Sequence, residues 1–200
     1  MPRDGEKSGL DSKRAQRMRA QGLSALREER YDEAVRLLKQ ALALEPDMPD
    51  TIIELVEALI EAARFEAAEK VARKSLRRDP ASAALWHRLG YIYEVRDGAL
   101  AAEPYYRRAL YYDSDHRPSL NSLAAIHWRM GDRKRATQLV QRAAMVDPDD
   151  PETRSNLQAV FDYRPPSRQQ VEFEREEEAA EDESHEAEVI DLALRRRRNG

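Results

Sequence analysis

Residues 86–109 read Trp86-His87-Arg88-Leu89-Gly90-Tyr91-Ile92-Tyr93, then Glu94-Val95-Arg96-Asp97-Gly98-Ala99-Leu100-Ala101, then Ala102-Glu103-Pro104-Tyr105-Tyr106-Arg107-Arg108-Ala109. Trp86, Leu89 and Tyr93 recur at helical spacing, so they share one face of a first helix. Gly90 and Ala102 are small enough to let a second, antiparallel helix come close. Tyr106 and Ala109 act as a knob and a gap on that second helix. One such pair cannot bury its own apolar face, so further copies are expected.

The copies are present, in strict phase at 34 residues. The Ala102 column reads Ala34, Ala68, Ala102, Ala136, and the Leu89 column reads Gln21, Leu55, Leu89, Leu123. The Gly90 column reads Gly22, Val56, Gly90, Ala124, and the Tyr106 column reads Leu38, Ala72, Tyr106, Val140. Each unit ends at Pro46, Pro80, Ser114 or Pro148. In this combination the chain resembles the tetratricopeptide repeat (TPR) family, whose unit is a helix–turn–helix of about 34 residues. The resemblance implies an all-α solenoid of antiparallel helix pairs. A TPR domain is expected over 12–163, with repeats at about 15–48, 49–82, 83–116 and 117–150 and a capping helix over 151–163. The first two helices are expected near 12–28 and 31–44. Pro104 is expected in the first turn of its helix, where the amide has no intrahelical partner.

The flanks are a different material. Residues 1–11 are charged, carry Gly5 and Gly9, and are expected to be disordered. Residues 164–200 form an acidic tail, expected to be largely disordered. Ten carboxylates and one arginine fall between Glu172 and Glu188, a run that repels itself and cannot form a core. The tail closes on Val189-Ile190-Asp191-Leu192-Ala193-Leu194, followed by Arg195, Arg196, Arg197 and Arg198. That end reads either as a linear recognition motif or as part of a solubilising tail.

The net charge of −4 lies entirely in the tail, because the remaining residues carry 27 charges of each sign. A neutral array with an acidic tail is a poor nucleic-acid binder. Without cysteine there is no disulfide framework and no thiolate metal site. The first residues are polar, so no signal peptide is expected, and no stretch has the apolar length to cross a bilayer. A cytoplasmic protein without membrane insertion is expected. His87, His116, His127 and His185 are scattered without metal-ligand spacing. A Gly-rich phosphate loop and a nucleophile elbow are both absent from the sequence. Neither catalysis nor a cofactor nor a metal is expected.

The resemblance further implies that the first helix of each repeat lines a concave groove in which partner peptides lie. Mapped through the columns, the groove takes Arg19 and Leu23, then Ile53, Glu54 and Glu57, then His87, Arg88 and Tyr91, then Asn121, Ser122 and Trp128. Apolar anchors mixed with single charges suit an extended or helical peptide. Chaperone-binding members of the family hold a terminal carboxylate in a clamp of lysine, asparagine and arginine. Here those positions hold Arg19, Leu23, Glu54, Ala84 and Arg88, and Glu54 repels such a group. The expected function is that of a non-catalytic adaptor or scaffold that binds another protein, heat-shock-protein tails not being the expected ligand. The alternative is a self-assembling structural protein whose repeats or tail mediate homo-oligomerisation, with Arg195–Arg198 meeting Glu54, Glu57 and Glu94.

Overall fold

A computed structural model describes residues 4–162, all of them in helices or in the short turns between helices. α1 (Asp4–Arg27) packs on α2 (Tyr31–Leu44), α3 (Pro49–Glu61) on α4 (Phe65–Leu76), α5 (Ala83–Asp97) on α6 (Ala99–Tyr112), and α7 (Arg117–Arg129) on α8 (Arg133–Val146). A further helix, α9 (Pro151–Asp162), follows. The first and second helices of a pair are termed A and B. Helices B begin at 31, 65, 99 and 133, and the helices α3, α5, α7 and α9 begin at 49, 83, 117 and 151, a constant step of 34 residues. The described residues form an all-α solenoid of four helix pairs and one further helix.

The step is constant because the same contact recurs in every pair. Ala34, Ala68, Ala102 and Ala136 lie in the first turn of successive B helices and are completely buried. Opposite columns match in volume. A Cβ built on Gly90 would stand 2.4 Å from Tyr106 Cε1, and one on Gly22 would stand 2.9 Å from Leu38 Cγ. Where the A-helix residue is larger, its B-helix counterpart is smaller: Val56 goes with Ala72, and Ala124 with Val140, all buried. Large against small keeps the interior close-packed without strained rotamers.

Both turns of the repeat carry their own chemistry. Between A and B, the same column takes a left-handed backbone at Glu29 (φ 57°), Ala63 (φ 54°) and Gly131 (φ 78°). Only glycine adopts that region freely, so Ala63→Gly is expected to raise stability by about 0.5–1 kcal/mol in a urea melt. Between B and the next A, Asp79, Asp113 and Asp147 each accept the backbone N–H two residues on, at 3.0, 3.1 and 3.1 Å. These Asx turns also recur at 34 residues and hold the chain in its reversal.

Two helix positions differ from expectation. The first helix begins at Asp4, ahead of the start expected near residue 12. Lengthening an existing helix requires no new nucleus, so the chain continues through Gly5 and Gly9. Pro104 is the sixth residue of α6, one turn deeper than expected. The carbonyl its ring leaves without an amide belongs to Leu100, an exposed residue. The tail motif from Val189 to Arg196 lies outside the described residues.

Candidate partner-binding face

Successive A helices touch one another directly, α1 on α3 and α3 on α5, and form the inner side of the array. Their facing charges are already paired. The Arg19 guanidinium donates to both Glu54 oxygens, Nε at 3.0 and 2.8 Å and Nη2 at 2.5 Å. Arg88 Nη2 donates to Glu57 at 2.9 Å. Glu94 accepts Arg129 Nη2 at 2.6 Å and the Tyr106 hydroxyl at 2.7 Å. The three pairs link α1 to α3, α3 to α5 and α5 to α7. Each contributes at most about 1 kcal/mol at such partly exposed sites. Their larger consequence is a neutral inner face. The carboxylates that an arginine-rich tail was expected to meet, Glu54, Glu57 and Glu94, are therefore engaged within the array.

Between these pairs lie apolar groups. Leu23 and Ile53 are half-buried, and Tyr91 is 43% exposed. Trp128 is half-buried beneath the Arg133 guanidinium, whose carbon sits 3.8 Å from the ring centroid. Leu23, Ile53 and Tyr91 lie on α1, α3 and α5, the helices joined by the ion pairs Arg19–Glu54 and Glu57–Arg88.

Asn121 departs from expectation. It is completely buried, and its Nδ2 donates to Thr153 Oγ1 at 2.9 Å and to Asp150 Oδ2 at 3.4 Å. Asp150 in turn accepts the Thr153 backbone N–H at 2.8 Å, fixing the start of α9. Asn121 is thus a joint between α7 and α9 and offers nothing to a ligand. The reason is positional: α9 covers the face of α7 that in an open array would meet solvent.

His87 and Ser122 are also turned to one another, Nε2 to Oγ at 3.3 Å. The His87 ring lies 5.2 Å from Tyr106 and 5.5 Å from His116. Burial, reinforced by His116 and Arg88, lowers the His87 pKa to about 3. Burial likewise lowers that of His116, with Arg88 and Arg117 adding to it and Asp113 opposing. The His87 imidazole is neutral in the folded chain at pH 7. The unfolded chain protonates it near pH 6.5, so its stability contribution is complete above that pH and declines as pH falls from 6.5 towards 3. His87 alone should remove about 1–2 kcal/mol between pH 7 and pH 5. Urea melts across that range should show the loss, and His87→Gln should flatten the curve.

Sequence reading did not select Arg129 or Thr153. Opposite charges 35 residues apart, Arg19 with Glu54 and Glu94 with Arg129, were the available signal for the first. For the second the signal was the column Thr51, Leu85, Ser119 and Thr153, with hydroxyl side chains at three of these four positions, and the structure buries those three completely.

Family models of the tetratricopeptide repeat match residues 25–90 and residues 119–152. The chain is a tetratricopeptide repeat protein. Solved structures agree in fold. TTC0263, a thermophilic TPR protein of Thermus thermophilus, superposes with a TM-score of 0.63 at 20% identity, over 74% of this chain and 81% of that one. MamA gives 0.55 at 18% identity, over 78% and 82%. YrrB gives 0.52 at 16% identity, over 74% and 76%, and is described as a TPR protein with an unusual peptide-binding site. No curated protein matches this TPR chain. Arrays of this kind present extended concave surfaces for binding, and the fold is one of protein–protein interaction. Among the described residues no helix is long and apolar enough to cross a membrane, and no group of three His, Asp or Glu side chains is placed to hold a metal ion.

Proposed function

We propose that this TPR protein is a cytoplasmic, non-catalytic scaffold that binds a peptide or helical segment of another protein along its inner A-helix face. The observation that carries the reading is how that face spends its charge. Arg19, Glu54, Glu57, Arg88, Glu94 and Arg129 pair across successive A helices, leaving Leu23, Ile53 and Tyr91 as the groups with apolar surface to offer. Such a face suits a ligand read by its apolar side chains, presented at helical or alternating spacing. The likeness of fold to YrrB, described as having a peptide-binding site, adds support.

The test is affinity capture from source lysate by the full chain, compared with Tyr91→Ala and with Leu100→Ala as an exposed control on α6. Tyr91→Ala should weaken retention of a particular protein at least tenfold, with melting nearly unchanged, and Leu100→Ala should not. Arg88→Glu is a poorer probe than its position suggests, because it sets a carboxylate against Glu57. Equal retention by all three chains would contradict the reading, and capture of a second copy of the chain in place of another protein would favour homo-oligomerisation.

A further inference from the structure

The outer, B-helix side differs from the inner side in its use of charge. A cleft of about 370 Å³ lies between α2 and α4, floored by Leu42, Leu55 and Val71 and flanked by Lys39 and Lys74. A second, of about 720 Å³, lies between α6 and α8, floored by Leu110, Leu123 and Leu139 and flanked by Arg107 and Arg142. Each of these five positions in the second cleft stands 68 residues, two repeats, beyond its counterpart in the first. The clefts are one design built twice: an apolar floor between cations from consecutive B helices. Among the described residues no carboxylate lines either of them.

The intervening α4–α6 junction has the same columns and uses them otherwise. Tyr105 replaces Val71 and Leu139 there, stacks on Tyr93 at 4.4 Å between centroids, and accepts a bond from Arg73 Nη2 at 3.3 Å. Arg108, the counterpart of Lys74 and Arg142, lies over the rings of Trp86 and Tyr112 at 5.7 and 5.2 Å. At that junction the cations are turned onto aromatic rings. In the two clefts they are not. Lys39, Lys74, Arg107 and Arg142 are exposed; Arg107 also reaches Glu103 on its own helix at 3.4 Å, and Arg142 is steadied by the Ser114 carbonyl at 2.7 Å.

We propose that the α2–α4 and α6–α8 clefts are equivalent docking sites for acidic amphipathic peptide segments of a partner protein, apolar side chains entering the leucine-lined floor and carboxylates meeting the flanking cations. The charge complementarity selects the acidic class: a neutral or basic segment leaves the flanking cations of each cleft facing solvent or repelled. A partner carrying two such segments engages both clefts of one chain and gains avidity.

The test uses the full chain and a fluorescein-labelled synthetic 12-residue peptide with two leucines four positions apart among glutamates, and a control peptide with lysines in place of the glutamates. The acidic peptide should bind at two sites per chain, more weakly as salt is raised, and the control should bind at least tenfold more weakly. Lys39→Glu with Lys74→Glu should remove one site, and Arg107→Glu with Arg142→Glu the other. Tyr91→Ala should leave both. Where helicity shows that a charge-reversed chain is unfolded, the corresponding glutamine substitutions carry the comparison. Binding that survives all four substitutions, or that does not discriminate the two peptides, overturns the proposal. Binding lost with Tyr91→Ala instead assigns the acidic peptide to the inner face, which overturns this inference and leaves the inner-face reading standing.

Discussion

Gly90→Ala is expected to lower stability by about 2–3 kcal/mol, even though alanine is the better helix former by about 1 kcal/mol. The added methyl would stand 2.4 Å from Tyr106 Cε1, and neither group has room to yield. Tyr106 is 1% exposed, its ring lies against His87, and its hydroxyl is anchored on Glu94. The melting temperature should fall by about 5–10 °C. The repeats themselves indicate the remedy, because the fourth pairs Ala124 with Val140 where the third pairs Gly90 with Tyr106. Gly90→Ala combined with Tyr106→Val should therefore lose less than the sum of the two single losses, by about 1 kcal/mol or more. Additive losses would mean that the large-to-small match between A and B helices is not what sets their approach.

The second large effect concerns the end of the array. Asn121→Ala removes the bonds to Thr153 and Asp150 and leaves a void beside a completely buried hydroxyl. The expected cost is about 2 kcal/mol. In a repeat array each unit leans only on its neighbours, so the damage should remain local. Amide exchange in residues 151–162 should quicken by about tenfold or more, with α3 unaffected. Release of α9 also uncovers Ala125, Trp128 and Val140, which it shares a pocket with, so the variant should self-associate more readily than the parent. Uniform acceleration across the chain would show that α9 is not a separable cap.

The fold was legible in the sequence because its determinants are periodic. Ala34, Ala68, Ala102 and Ala136 announce the spacing, and their complete burial is the physical reason for it. Phe161 marks the limit of that reading. It falls in the column of Tyr93 and His127, yet it is 71% exposed where His127 is buried. The candidate faces were less legible. The inner-face ion pairs join residues 35, 31 and 35 positions apart, off the 34-residue step, so reading column by column cannot find them. They depend on how adjacent A helices are rotated against one another. Asn121 sits in a groove position by phase and becomes interior only through α9. The outer clefts follow the columns faithfully, but whether a cation there faces solvent or a ring depends on the aromatic residues around it, Trp86, Tyr93 and Tyr112 at the α4–α6 junction, and is visible only once the helices are set in space.

The central claim, that the inner A-helix face receives a segment of another protein, is tested most directly by site-specific photo-crosslinking. A photoreactive residue replaces Tyr91 in one full-length chain and Leu100 in another, and each is irradiated in source lysate. The account predicts that the Tyr91 chain is joined to one contiguous peptide segment of a single other protein, and that the Leu100 chain is not. No adduct at the Tyr91 position, with the same lysate protein joined through the outer face, would contradict it.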